Sequence, residues 1–441
     1  MLELMPDEGW DDEIVGIRSP KFKALRENLL NDGLVAYSKG NMYVYLTNSN
    51  KWSIFVSAEV QRQICDLTGS ESASVNYLKG SEPFIGFLEK HSLQVSSIPT
   101  SICVGTRRLA ISLEKDKMTL NDCRGVASVN EQLDKRLEGF CVMPIFFKEL
   151  PKRWSPGGAD RIYKYLAVLF INPVELDSIK WIVGMAAVDP GSSSKFLLLY
   201  GPGGTGKSTT IEVIENIFKG CCGALNSDAL TGRFNSIDQG TARTIASNRV
   251  VTGGDVNTET SRLNLHTIKE ITGHDSIAIP PIKVRTRCTL VAGCNSLPDP
   301  EEQPSWCSTA ISRRAVVVTM SVSTSLIPKR EPPDSIEDCI DFLMSCVYLF
   351  LSNPTSMPVS TRCILYTVLG KGYDKIRDKI EITEDATEQE VFDANMALDI
   401  HFHLQPHTLG ELASLISIDA VIIFGSLYFI KNIRLLESLE D

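Results

Sequence analysis

The sequence predicts an α/β protein organised around a parallel sheet, and three observations carry that expectation. Short apolar runs that read as buried strands recur at residues 196–200, 249–252, 289–292 and 315–320, with helical material between the earlier ones. The first, Phe196-Leu-Leu-Leu-Tyr200, is continuously apolar, as in a parallel strand covered on both faces. It runs directly into a glycine-rich loop and then into Ile211, Ile214 and Phe218 at helical spacing, with Gly220 placed to stop that helix.

At 441 residues the chain exceeds what one hydrophobic core sustains, and its patterning divides into three regions. Residues 1–155 read as a mixed α+β domain. Blocks 42–46 and 52–56 alternate around the turn-forming cluster Thr47-Asn-Ser-Asn-Lys51, a β-hairpin signal. A helix pattern with Val60 and Ile64 follows, then strand-like pieces at 100–104 and 108–113. The breaker-rich stretch Pro151-Lys-Arg-Trp-Ser-Pro-Gly-Gly158 reads as a linker. Residues 156–325 hold the sheet, entered through helical patterns at 159–170 and 174–185, split at Pro173, and the loop Asp189-Pro-Gly-Ser-Ser-Ser194. In residues 326–441, Ile336, Ile340, Leu343, Val347 and Phe350 recur at helical spacing after a proline-rich break. The remainder is expected to be mainly helical, with the capping-box form Thr408-Leu-Gly-Glu411 and a winged-helix module at 408–439. The acid-rich run 381–390 reads as a solvated face.

The loop Gly201-Pro202-Gly203-Gly204-Thr205-Gly206-Lys207-Ser208-Thr209 satisfies the P-loop pattern in the strand–loop–helix context that the pattern requires. Its glycines let backbone N–H groups turn inward around phosphate oxygens, where side chains would crowd the ligand. The positive end of the following helix faces the same phosphates. Lys207 is expected to reach the β and γ phosphates of ATP, and the Ser208 hydroxyl to ligate Mg2+.

Hydrolysis also needs an acid near the metal and the attacking water. The strand at 249–252 leads into Gly253-Gly254-Asp255, which makes Asp255 the candidate; its plainer reading is a turn aspartate. Asn295, in Gly293-Cys-Asn-Ser-Leu-Pro298 at the end of another strand, is placed to hydrogen-bond the γ phosphate or the water, or else to satisfy turn backbone. Arg313 and Arg314 precede the strand Ala315-Val-Val-Val318; a guanidinium delivered to a neighbouring subunit would stabilise transition-state charge, whereas alone the pair reads as surface salt-bridge partners.

In this order, residues 201–209, residues 250–255, the run Ile268-Lys-Glu-Ile-Thr-Gly-His-Asp275, residues 290–298 and Ser312-Arg-Arg314 resemble the superfamily 3 helicases. The likeness is greatest to the poxvirus-type and phage or plasmid primase-helicase NTPases, and it covers most of the chain. The segment 269–275 discriminates best, because that family has a similar Lys-x-x-Thr-Gly-Gly-Asp run. The hairpin with Trp52 and the helices before the P-loop also look like the region preceding the motor in those proteins.

The resemblance implies an AAA+-like motor domain that hydrolyses ATP with Mg2+ as a homo-hexamer, in a virus, plasmid or prophage. Asp255 takes the Walker B role, with Ser208 at the metal; Asn295 takes the sensor role, and Arg313 or Arg314 the finger acting in trans. Single-stranded nucleic acid, DNA rather than RNA, would be threaded past a pore hairpin in the stretch containing Lys269, His274, Lys283, Arg285 and Arg287. The run 283–287 also reads as one solvent-facing side of a strand. Two features depart from the family. Gly253-Gly254 stands where apolar or acidic residues often lead into the carboxylate, so either the acid is displaced or another residue such as Glu259 contributes; His274 stands where glycine is usual. No primase-type constellation precedes residue 150, so priming would require a separate primase or polymerase.

The bulk properties bound these expectations. A net charge of −10 argues against a basic outer coat for nucleic acid but leaves room for a locally basic channel. Twelve cysteines without a Cys-x-x-Cys pair read as reduced, mostly buried thiols. The N-terminus lacks a basic segment followed by an apolar stretch, and the longest apolar run, 420–430, is too short for a membrane helix; an intracellular protein without a membrane partner is expected. A guanine-reading Asn-Lys-x-Asp run is absent, which disfavours a GTPase. An AAA+-like ATPase acting on a protein partner, as loader or remodeller, is the alternative, as is a nucleotide-binding module that has lost catalysis.

Overall fold

The computed structural model describes residues 35–38, 41–46, 51–56, 60, 62, 93–94, 101–104, 107–114, 117–122, 143–145, 147, 149–156, 160–231, 237–256, 262–279, 282–307, 311, 313–327, 332–402, 421–424, 427–430 and 432–439. The expectations for Ile64, Glu259, Ser312 and residues 408–420 lie outside them.

Among the described residues, the N-terminal module contains two four-stranded sheets. The first comprises β1 (Val35–Ser38), β2 (Asn41–Leu46), β3 (Lys51–Ile54) and β4 (Leu93–Gln94) in the order β3-β2-β1-β4. The expected hairpin is the antiparallel β2–β3 pair, with Tyr45 opposite a buried Trp52 in edge-to-face contact. The second sheet runs β5 (Ser101–Val104), β6 (Arg107–Glu114), β7 (Lys117–Asp122) and β8 (Arg153–Trp154). β8 lies within the stretch that reads as a linker: Met118 pairs with Trp154 and Thr119 with Arg153.

Two helices lead to the central sheet. Asp160 caps α1 (Arg161–Ala167), and Asn172 followed by Pro173 starts α2 (Pro173–Val188), as the break at Pro173 predicts. Then follow β9 (Phe196–Tyr200), α3 (Lys207–Ile217), β10 (Cys222–Leu225), α4 (Ser227–Thr231), α5 (Gln239–Ser247), β11 (Val250–Val256), α6 (Leu265–Thr272), the antiparallel hairpin β12 (Ser276–Ile279) and β13 (Ile282–Arg285), β14 (Thr289–Cys294) and β15 (Ala315–Thr319). The body is therefore mixed α/β, with a five-stranded parallel sheet in the order β10-β11-β14-β9-β15. β9, β14 and β15 are buried almost throughout, which explains their uninterrupted apolar sequences. β10 has no such signature: Cys222, Gly223 and Ala224 are half-buried or exposed at the sheet edge.

In the C-terminal region, Ser335 caps α7 (Ile336–Ser352), which packs on α2. The crossing is close at Gly184, where a Cβ would lie 2.2 Å from the Cys346 carbonyl oxygen. Of the expected face of α7, Leu343, Val347 and Phe350 are buried, Cys339, Phe342 and Cys346 widen the buried face, and Ile336 in the first turn is 54% exposed. Trp154 of β8 donates to Asp341 on α7 at 2.7 Å and rests on Tyr348. Beyond lie α8 (Thr361–Leu369), α9 (Gly372–Ile376), β16 (Ile380–Ile382), α10 (Glu388–Phe402), the hairpin β17 (Val421–Phe424) and β18 (Leu427–Ile430), and β19 (Ile433–Leu435), which pairs antiparallel with β16. The acid-rich run is thus partly structural: it supplies β16, Glu381 pairs with Arg434, and Glu390 caps α10 by accepting from Thr387 N–H at 2.7 Å. The described cysteines are free thiols, all but Cys222 buried. Among the described residues no helix is long and apolar enough to cross a membrane.

Candidate nucleotide site

Because the five strands are parallel, their carboxyl ends share one edge, where open α/β sheets bind ligands. β14 lies between β9 and β11, so the strand that leads into Asn295 separates the one feeding the glycine loop from the one carrying Asp255. In register, Asp255 stands beside Gly293, and Gly293 beside Leu199.

The loop leaves β9 under close restraint. Gly201 N–H donates to the Cys294 carbonyl at 3.2 Å, and a Cβ on Gly201 would lie 2.0 Å from the Met320 carbonyl oxygen, so only glycine fits. Gly204 and Gly206 have φ of +75° and +89°. A Cβ at Gly203 or Gly204 would meet nothing within 4 Å, leaving the loop with room for a phosphate group. Thr205 is buried and donates to the Pro202 carbonyl at 2.9 Å. The N-cap of α3 is Gly206, with no side-chain cap on the first helical N–H groups, which suits an anion at that end.

Lys207, the first residue of α3, is 5% exposed. Its ammonium donates to the Gly201 and Pro202 carbonyls at 2.7 and 2.8 Å and to Asn295 Oδ1 at 2.7 Å. Two positions 88 residues apart in sequence thus meet at one nitrogen. Ser208 is exposed in the first turn of α3, and Thr209 is half-buried.

The Gly253-Gly254 departure is a local irregularity of β11. Thr252 pairs with Val291 and Gly253 with Ala292, then the register shifts so that Asp255, not Gly254, is aligned with Gly293. One extra residue therefore brings Asp255 to the position that Gly254 would otherwise fill. Gly253 is closely packed, its would-be Cβ 2.5 Å from Leu230 Cδ1. Thr252 donates to Glu215 of α3 at 2.6 Å, fastening β11 to that helix.

A nucleotide with Mg2+ fits these residues: an open glycine loop, an uncapped helix start, a buried lysine and a serine hydroxyl at the helix entrance. Among the described residues no group of three or more His, Cys, Asp or Glu forms a metal cluster. Magnesium held mainly by phosphate and water needs none.

Other features near the loop carry no signature in the sequence. Thr324 donates through both N–H and hydroxyl to the Gly204 carbonyl, each at 2.8 Å. Tyr200, the residue before the loop, donates to Asp374 at 2.9 Å; Tyr366 donates to the other oxygen at 2.7 Å, and burial with this acceptor pushes both hydroxyls up. They border a cleft of about 830 Å³ between Gly201 and Pro202 on one side and α8, α9 and β16 on the other. Behind it, buried Glu175 accepts from Thr319 at 2.7 Å; burial raises its carboxyl, against the opposing effects of that hydrogen bond and the Arg362 charge.

The remaining candidates lie at the opposite edge. Phe196 N–H donates to the Arg314 carbonyl, so Arg313 and Arg314 sit roughly 17 Å along β9 from the loop, at about 3.3 Å per residue. They cannot reach their own chain's loop. Burial and neighbouring Arg313 lower the Arg314 pKa, while Asp275 opposes this. The β12–β13 hairpin is at this edge too: Ile277, Ile279 and Val284 are buried, whereas Lys283 and Arg285 are exposed. Lys269 is half-buried on α6. His274 has φ +56°, which explains why glycine suits that position; its Nε2 is 3.0 Å from the Ser193 carbonyl oxygen, and burial lowers its pKa. Arg287 is paired with Asp189.

Residues 199–314 match the model of a family of unknown function, DUF5906. No curated protein matches the chain in sequence. Among solved structures, the apo C-terminal region of NrS-1 is similar at 14% identity, over 74% of this chain and 68% of that one, with a TM-score of 0.35. The A form of that region is similar at 13% identity over 94% and 98% of the two chains, again with a TM-score of 0.35. At these values the similarities fix neither fold nor function.

Proposed function

We propose that this chain is an ATP-hydrolysing motor of the superfamily 3 helicase type, an AAA+-like ring that translocates on single-stranded DNA during replication of a virus, plasmid or prophage. The observation that carries it is the bond from Lys207 Nζ to Asn295 Oδ1 beneath the glycine loop, on a parallel sheet whose Asn295 strand lies between the loop strand and the Asp255 strand. That arrangement puts a cation, a neutral amide and the candidate acid's backbone at one edge, as γ-phosphate hydrolysis requires.

In this reading the N–H groups from Gly203 to Ser208 hold the β and γ phosphates, and a phosphate oxygen replaces one carbonyl partner of Lys207. Ser208 and Asp255 are the residues that would hold Mg2+, together with phosphate and water, and the metal when bound would supply charge neutralisation at the transferring group. Asn295 orients the attacking water. Arg313 or Arg314 serves the loop of an adjacent protomer in a homo-hexamer, consistent with its distance from its own. Lys283 and Arg285 present two cations on the exposed hairpin face to a phosphodiester backbone.

The test is strand displacement with matched DNA and RNA substrates, alongside native mass measurement. ATP-dependent unwinding, better on DNA, by a six-chain species is expected. Turnover that neither DNA nor RNA stimulates would instead favour action on a protein partner.

A further inference from the structure

Among the described residues none of the N-terminal module lines the nucleotide site set out above, yet the module is bonded directly to the basic hairpin. Asn41, the first residue of β2, is 4% exposed, and both ends of its amide engage one residue 244 positions away. Arg285 N–H donates to Asn41 Oδ1 at 2.8 Å, and Asn41 Nδ2 donates to the Arg285 carbonyl at 3.0 Å. The amide thus completes the hydrogen bonding of the residue at which β13 ends, opposite Ser276 of β12. Tyr43, on the same face of β2, is buried within reach of the Arg287 and Arg249 charges, and burial pushes its hydroxyl up. Arg249 in turn donates to the Met143 carbonyl of the N-terminal module and to the Ala186 and Ala187 carbonyls at the end of α2, each at 3.0 Å.

Residues 286–288 connect this anchored point to β14, a fully buried strand followed by Asn295, which meets Lys207. A shift of the hairpin base therefore has a short, stiff route to the lysine of the glycine loop.

We infer that the N-terminal module seats the β12–β13 hairpin, with Asn41 as a positioning residue that couples a nucleic-acid strand at Lys283 and Arg285 to ATP turnover. The coupling rests on the nucleic-acid reading of that hairpin; the seating does not.

The test uses the full chain carrying Asn41→Ala, with oligodeoxythymidylate as the probe. Turnover without oligonucleotide should stay within about twofold of the unmodified chain, while stimulation falls about fivefold or more, in the range of ordinary coupling energies. Amide hydrogen exchange should accelerate about tenfold at residues 276–285 and be unchanged in β9 and α3. Combining Asn41→Ala with Lys283→Ala should be non-additive for stimulation. Asn41→Ser, which keeps a hydroxyl without the two-pronged amide, replaces the alanine variant should that chain not fold. Full stimulation together with unchanged hairpin exchange would overturn the proposal. If the unmodified chain is not stimulated, the nucleic-acid reading and the coupling both fall, and hairpin exchange alone decides the seating.

Discussion

At the residue scale, the proposed chemistry turns on Lys207 and Asn295, which meet through one hydrogen bond. A buried ammonium needs hydrogen-bonding partners, and two loop carbonyls and one amide oxygen supply them. Replacing Asn295 with alanine should lower kcat on the order of 10²-fold with little change in KM, because in the proposed reading its partner is the attacking water or transition state rather than bound ATP. Steady-state kinetics would check this. Glu175 gives a different prediction. Its folded-state pKa is raised by burial above the ordinary 4.5, so its contribution to stability is full below that value and is lost as pH rises through the folded pKa. Thermal melts of Glu175→Gln should show a flatter decline above pH 4.5 than the unmodified chain.

At the scale of elements, close approaches without room for a Cβ set the geometry. Gly184→Ala would drive a methyl into the Cys346 carbonyl region where α2 crosses α7, costing about 1–3 kcal/mol in a denaturation experiment. Elements differ in how far their sequences announce them. β9, β14 and β15 are legible because burial on both faces forces uninterrupted apolar runs, and α2 because Asn172-Pro173 is good helix-start chemistry. β10 is not, since an edge strand reading Cys-Gly-Ala-Leu has neither alternation nor apolar weight. β8 is hidden among breakers because pairing to β7, not local propensity, makes it a strand. The glycine loop is legible residue by residue, as its spacing carries its chemistry. Its contact with Asn295, its restraint by Thr324 and the Tyr200–Asp374–Tyr366 network depend on which strands are neighbours, and no local pattern encodes that. The Gly253-Gly254 oddity becomes interpretable only through the register with β14.

Across the whole molecule, the parallel sheet separates the two groups of candidate residues by its two edges. The glycine loop, Lys207 and Asn295 occupy one; Arg313, Arg314, Lys283 and Arg285 occupy the other. In the proposed reading, a chain so arranged would complete its hydrolytic site only with a neighbour. Mixing inactive Lys207→Ala chains with inactive Arg313→Ala/Arg314→Ala chains should therefore restore part of the turnover, because some interfaces pair an intact loop with an intact arginine. The most direct measurement is phosphate release from ATP by the intact chain with Mg2+, compared with Lys207→Ala. Turnover by the former and a loss on the order of 10²–10³-fold in the latter are expected. Equal hydrolysis by both proteins would contradict the assignment of the Gly201 loop as the seat of the reaction.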